Sequence, residues 1–284
     1  MERLALLLGN PKANLASQDV QGALNDIDYW ENFLTSEMGG LWVKGNEIRR
    51  LEIQTKGDLV RLFAKLASNK KQYLMFVFSG HGFSDAMEDY IYINPDEYIS
   101  VNQLKRLMTD AAETGLMFID ACRDVNLTGR NALSHQIQLK PLVYYPCEAY
   151  SPETADKFRK KIENQWWTKY VKRLSTIGDD PFVIIQSCEK GKSSVDVYEK
   201  NADKFYGAFT RMMLDVGIYA EKELGTYAVY YEANENMSKQ LDWTDCGEYV
   251  QSAEYYPKPP EIFFPFTLGK KSIDEIMKSC TING

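Results

Sequence analysis

Two residues in this chain carry the chemistry of a thiol hydrolase, and both stand at the ends of apolar runs. Cys122 follows Gly115-Leu116-Met117-Phe118-Ile119 through Asp120-Ala121, and His81 follows Tyr73-Leu74-Met75-Phe76-Val77-Phe78 through Ser79-Gly80. Each run has the length and composition of a buried strand, so each side chain is delivered at a strand terminus, where open α/β sheets place their ligands. A free thiol titrates near pH ~8.5, and a cysteine that attacks a carbonyl at neutral pH therefore needs a neighbour to take its proton. The chain has only two histidines, His81 and His135, and only His81 is followed by glycine at a predicted strand end. The backbone N–H groups of Gly82 and Cys122 would supply the paired donors of an oxyanion hole. Taken alone, a cysteine after an apolar run is commonly a small buried hydrophobe. The same context occurring twice, strand and then a short polar motif, favours the chemical reading.

Around these two runs the pattern alternates. Strands are expected at 3–9, 47–53, 72–79, 115–120 and 181–187, and helices near 19–37, 56–68, 101–113 and 205–217, with 89–93 as a short hairpin arm. Such alternation implies a largely parallel sheet with helices on both faces. A further helix is expected across Tyr227–Met237, and Pro260–Phe266 reads as a proline-bounded edge strand.

Ser79-Gly80-His81-Gly82 and Asp120-Ala121-Cys122-Arg123 resemble the histidine and cysteine motifs of the caspase-like cysteine peptidases, the caspases, metacaspases and paracaspases. The caspase cysteine signature has Gln two residues before the cysteine, with the histidine about 50 residues upstream. Here Asp120 takes the place of that Gln and the separation is 41 residues, a departure that resembles the paracaspases and their bacterial relatives most. The resemblance covers about residues 1–215 and implies the caspase-like fold and a Cys122–His81 dyad. It also implies a specificity. Val20 stands where caspases carry an Arg for substrate aspartate, whereas Gly22-Ala23-Leu24-Asn25-Asp26 resembles the metacaspase stretch whose Asp lines the pocket for the residue before the cut, P1. Asp26, Ser79 and Asp120 would line that pocket, with Asp196, five residues past Gly191, in place of the paracaspase pocket Glu. Carboxylates crowded round one pocket favour a cation, Arg above Lys because its planar fork binds bidentately. The bland readings are that Asp26 sits in the first turns of a helix starting near Asp19, favoured by the dipole, and that Asp196 is a solvated carboxylate in the polar loop Lys192–Asp196.

Composition agrees with a single caspase-like domain over 1–284, carrying an insertion at about 123–180 and a C-terminal extension at about 218–284. The insertion exceeds ordinary connections. Within it Phe158, Ile162, Trp166, Tyr170 and Leu174 recur every four residues, an amphipathic helix with basic flanks. Its aromatic face either packs on its own domain, the favoured reading, or offers 157–174 to a regulatory protein partner, as the C-terminal segment also would. Arg130, beside Gly129, is the candidate site of self-cleavage, since caspases are processed at this topological place. The net charge of −7 argues against a nucleic-acid-binding surface, the apolar runs fall short of a membrane span, and Leu4–Leu8 is too short for a signal sequence. Five cysteines without paired spacing suggest neither a disulfide framework nor a zinc site, and a cytoplasmic location follows. The expected function is cleavage of protein or peptide substrates after Arg or Lys without a resident cofactor, with calcium activation of the metacaspase kind left open. Its rivals are a catalytically silent caspase-fold scaffold and a cysteine hydrolase of small molecules.

Overall fold

In a computed structural model, the residues described are 2–12, 20, 22–124, 131–137, 153, 156–164, 181–200, 202–240, 250–257 and 265–281. The central sheet is built from β1 (Arg3–Asn10), β2 (Ile48–Arg50), β3 (Lys71–Gly80), β7 (Ala112–Asp120), β9 (Phe182–Gln186) and β13 (Glu254–Tyr256), in the order β13-β9-β7-β3-β1-β2. All pairings are parallel except β13 on β9. The four inner strands, β1, β3, β7 and β9, read as largely apolar runs because both faces are covered.

Alternation divides each strand between two cores. On one side Leu4, Leu6, Leu8, Phe76, Phe78 and Ile119 pack with Leu59 and Phe63 of α2 (Lys56–Ala67) and Leu104 and Met108 of α3 (Val101–Ala111). On the other, Ala5, Leu7, Val77, Phe118 and Ile185 meet Ile27, Trp30 and Phe33 of α1 (Gly22–Thr35) and Phe209 and Met212 of α5 (Ala208–Tyr219). Burying each such side chain contributes about 1.5–3 kcal/mol. Phe118, two residues before Asp120, lies edge-on to Trp30 at 4.9 Å and stacked on Phe209 at 5.8 Å, so aromatic packing fixes the strand that carries the cysteine. Helix starts follow local chemistry. Thr55 and Asp58 form a reciprocal capping box at α2, and the Ser100 hydroxyl accepts from the Gln103 N–H at α3.

Several elements differ from the sequence reading. The arm at 89–93 is β5 (Asp89–Tyr92), the middle strand of a small antiparallel sheet between β4 (Gly82–Ser84) and β6 (Tyr98–Ser100). Inside the expected insertion, β8 (Asn131–Ile137) pairs in parallel with β10 (Val195–Glu199), which is antiparallel to β11 (Lys204–Gly207). Of the expected edge strand Pro260–Phe266, residues 260–264 lie outside the described residues, and β14 (Pro265–Thr267) pairs with β12 (Leu224–Gly225), while Glu254–Tyr256 forms the edge of the central sheet beside β9. Helix α4 over 156–164 sends Phe158 and Ile162, both 0% exposed, into the shared core, as the packing reading of the amphipathic pattern requires. The rest of that pattern, Trp166, Tyr170 and Leu174, lies outside the described residues. Beyond residue 218, α6 (Thr226–Gln240) and α7 (Lys270–Thr281) add Val229, Ala233, Met237, Ile273 and Ile276 to the same core.

Candidate active site

The last rung between β3 and β7 pairs Ser79 with Asp120. His81 and Cys122 each follow it by two residues in sequence, just past the C-terminal ends of the two strands, where open α/β sheets place their ligands. Both are buried. The Cys122 thiol faces the Ser194 carbonyl at 3.7 Å. A Cβ built on Gly82 would stand 2.8 Å from the Cys122 carbonyl oxygen and 2.9 Å from the Ala121 Cβ, so a glycine is required for the two loops to approach this closely. The Tyr92 N–H donates to the His81 carbonyl at 3.0 Å, which makes that pair hydrogen-bonded. Antiparallel alternation then leaves Gly82, across from Ile91, with its N–H directed away from β5.

A second thiol sits beside the first. Cys188 donates to the Ala121 carbonyl at 3.4 Å and the Lys192 carbonyl at 3.3 Å. Burial, and then the neighbouring Cys122, pushes its pKa well above the ordinary thiol value, so it stays protonated.

All the carboxylates singled out in the sequence are buried and converge on Gly207. Asp26 accepts from the Ser79 hydroxyl at 2.6 Å and from the Gly207 N–H at 2.9 Å. Asp120 accepts from the hydroxyls of Ser194 at 2.6 Å and Thr210 at 2.5 Å. A Cβ on Gly207 would lie 2.2 Å from Asp120 Oδ2 and 2.9 Å from Asp26 Oδ2. Asp196 pairs with Gly207 across β10 and β11 and accepts from the Gly22 N–H at 3.2 Å. The loop reading of Asp196 is thereby corrected: it is 3% exposed in a strand, where a neighbouring ladder holds its backbone. The dipole reading of Asp26 also fails, because α1 begins at Gly22 and Asp26 faces the buried side of the helix. Arg130 lies outside the described residues.

Gly207-Ala208-Phe209-Thr210, which opens α5 and resembles a family element behind the site, supplies two of these contacts, whereas neither Ser194 nor the partners of Arg123 were legible in the sequence. The Arg123 guanidinium donates to Asp89 at 2.8 Å, to Glu254 and to the Cys188 carbonyl at 2.8 Å. Burial alone would lower its pKa, but the hydrogen bonds and charges of Asp89 and Glu254 outweigh burial and raise it. Burial likewise opposes ionisation of Asp89, and Arg123 overrides that, holding the carboxyl below its ordinary value. The residue after the cysteine thus ties the loop that follows β7 to β5 and to the edge strand β13. Gln251 holds the facing loop, accepting from the Val195 N–H at 2.9 Å and donating to the Ser187 carbonyl at 2.7 Å.

The fold agrees with the comparisons. The family model for the caspase domain matches residues 2–261, and the chain belongs to that family, whose members are typically cysteine peptidases. Among solved structures, caspase-1 from Spodoptera frugiperda is similar with a TM-score of 0.56 at 11% identity, over 94% of this chain and 89% of that one. A protein from Geobacter sulfurreducens is similar with a TM-score of 0.52 at 16% identity, over 95% of this chain and 100% of that one. At such identities the likeness shows the fold alone. No curated protein sequence matches the chain significantly. Among the described residues no helix is long and apolar enough to cross a membrane.

Proposed function

We propose that this protein is a cysteine endopeptidase that cuts protein or peptide substrates after Arg or Lys through a Cys122–His81 dyad. The observation that carries the reading is the close approach of the two strand-end loops, where a Cβ on Gly82, the residue after His81, would stand 2.8 Å from the Cys122 carbonyl oxygen. In the proposed reaction His81 takes the thiol proton and the sulfur adds to the scissile carbonyl carbon, with the oxyanion held by the N–H groups of Gly82 and Cys122. The C–N bond then breaks as His81 returns the proton to the departing amine, leaving a thioester that water hydrolyses. This chemistry needs no cofactor. The basic specificity is supported by Asp26, Asp120 and Asp196 gathered about Gly207, where a bound guanidinium relieves repulsion between carboxylates in a poorly hydrated setting.

The test is covalent. A peptidyl acyloxymethyl ketone ending in Arg should add its mass to Cys122, seen by peptide mapping, and its Asp analogue should not. Labelling by the Asp reagent in preference to the Arg reagent, or labelling of Cys188, overturns the assignment. Self-processing at Arg130 follows from the same specificity and is read in the same instrument, as a cut chain in the wild type and an intact one in Cys122→Ala.

A further inference from the structure

The small sheet that begins just after His81 has two unlike faces. Ile91 and Ile99, 1% and 0% exposed, turn into the core with α3. The opposite face carries four aromatic rings. Phe83 stands across from Tyr90, and Tyr92 across from Tyr98. Phe83 stacks on Tyr90 at 4.8 Å between centroids, meets Tyr98 edge-on at 5.1 Å and lies 5.4 Å from Tyr92. Tyr98 is 46% exposed at the rim of this cluster, so the patch reaches solvent.

This aromatic face is continuous with His81. The hydrogen bond from the Tyr92 N–H pairs Tyr92 with His81, and Phe83 follows His81 by two residues, so strand alternation puts His81 and the four rings on one face. Neither the dyad, the oxyanion donors nor the carboxylates use those rings.

We propose that the Phe83–Tyr90–Tyr92–Tyr98 face is the subsite for the part of the substrate that follows the scissile bond, and that it selects an aromatic or long aliphatic side chain there. The inference rests on the cysteine-peptidase reading. The imidazole that protonates the departing amine lies on the leaving-group side of the bond, so the surface continuous with His81 receives the departing half, while the carboxylates concern the residue before the cut. Edge-to-face and stacked rings with one polar end accommodate such a side chain at a partly wet surface.

The experiment compares two substrate types. An Arg aminocoumarin amide has no amino acid after the bond, whereas quenched peptides with Arg fixed carry Phe, Leu, Ser or Asp at the two following positions. The wild type should favour Phe or Leu over Ser by about tenfold in kcat/KM. In Tyr98→Ala that ratio should shrink by about three- to tenfold, and in Tyr98→Phe, which keeps the ring, it should be retained. A wild type indifferent to the following residues, or a ratio unaltered in Tyr98→Ala, overturns the subsite. So does a Tyr98→Ala protein whose only change is the loss of an oligomer in sedimentation, which assigns the patch to contact between copies. If the aminocoumarin amide is cut but the ratio is flat, only this inference falls; if the wild type cuts neither substrate type, the peptidase reading falls and takes the subsite with it.

Discussion

Arg123→Met tests how the site is held. The substitution keeps most of the side-chain length and removes the charge from a group whose side chain is 5% exposed, leaving Asp89 and Glu254, whose side chains are 15% and 19% exposed, without their shared guanidinium. Breaking a buried ion pair from one side costs about 3–5 kcal/mol, and the partial exposure of both carboxylates places the expected loss near the lower end, about 3 kcal/mol. With a urea m-value of about 3 kcal/mol/M, the unfolding midpoint should fall by about 1 M at unchanged m. The loss also has a pH signature. Asp89 is held below its ordinary pKa in the folded protein, so its pairing contributes stability above the unfolded value of about 3.9 and loses it as pH falls through the folded value. The gap between wild type and Arg123→Met should therefore narrow below about pH 4. Replacing Asp89 and Glu254 with Leu in the same chain removes the orphaned charges and should restore part of the stability. A midpoint within about 0.3 M of wild type at pH 7, a loss of no more than about 1 kcal/mol at that slope, would refute the claim that this network braces the loop.

Cys122→Ala should abolish turnover with the unfolding midpoint barely moved, whereas Cys188→Ala should keep Arg-directed activity and lose stability, since it removes a thiol that is 0% exposed and bonded to two carbonyls. Activity assays beside urea curves separate the two, and the reverse pattern would exchange their roles. Gly207→Ala drives a methyl to 2.2 Å from Asp120 Oδ2, and because Ser194 and Thr210 hold that carboxylate the strain should cost about 1–3 kcal/mol and raise KM for Arg substrates more than it lowers kcat. Wild-type kinetics in Gly207→Ala would place the carboxylates away from bound substrate.

The central strands were legible because they are buried on both sides, so burial writes itself into the local run of residues: 3–9, 72–79 and 115–120 emerge as Arg3–Asn10, Lys71–Gly80 and Ala112–Asp120. The positions of His81 and Cys122 at strand ends were legible for the same reason, and Phe158 and Ile162 through the helical period of their burial. What the sequence by itself determined was therefore which segments are interior and which reactive side chains stand at their ends. Only the tertiary structure decided which side chains meet. Nothing local distinguishes Asp196 as a buried strand residue, because its burial comes from Gly22, 174 residues away, and from a hairpin whose register sets it against Gly207. Asp89 and Glu254 lie 34 and 131 residues from Arg123, and Tyr255-Tyr256 forms the antiparallel edge of the sheet because β9 offers it unpaired backbone groups. Periodicity reports whether a residue is hidden, since hydration acts on each side chain separately; partnership depends on sheet order and register, which are properties of the whole chain.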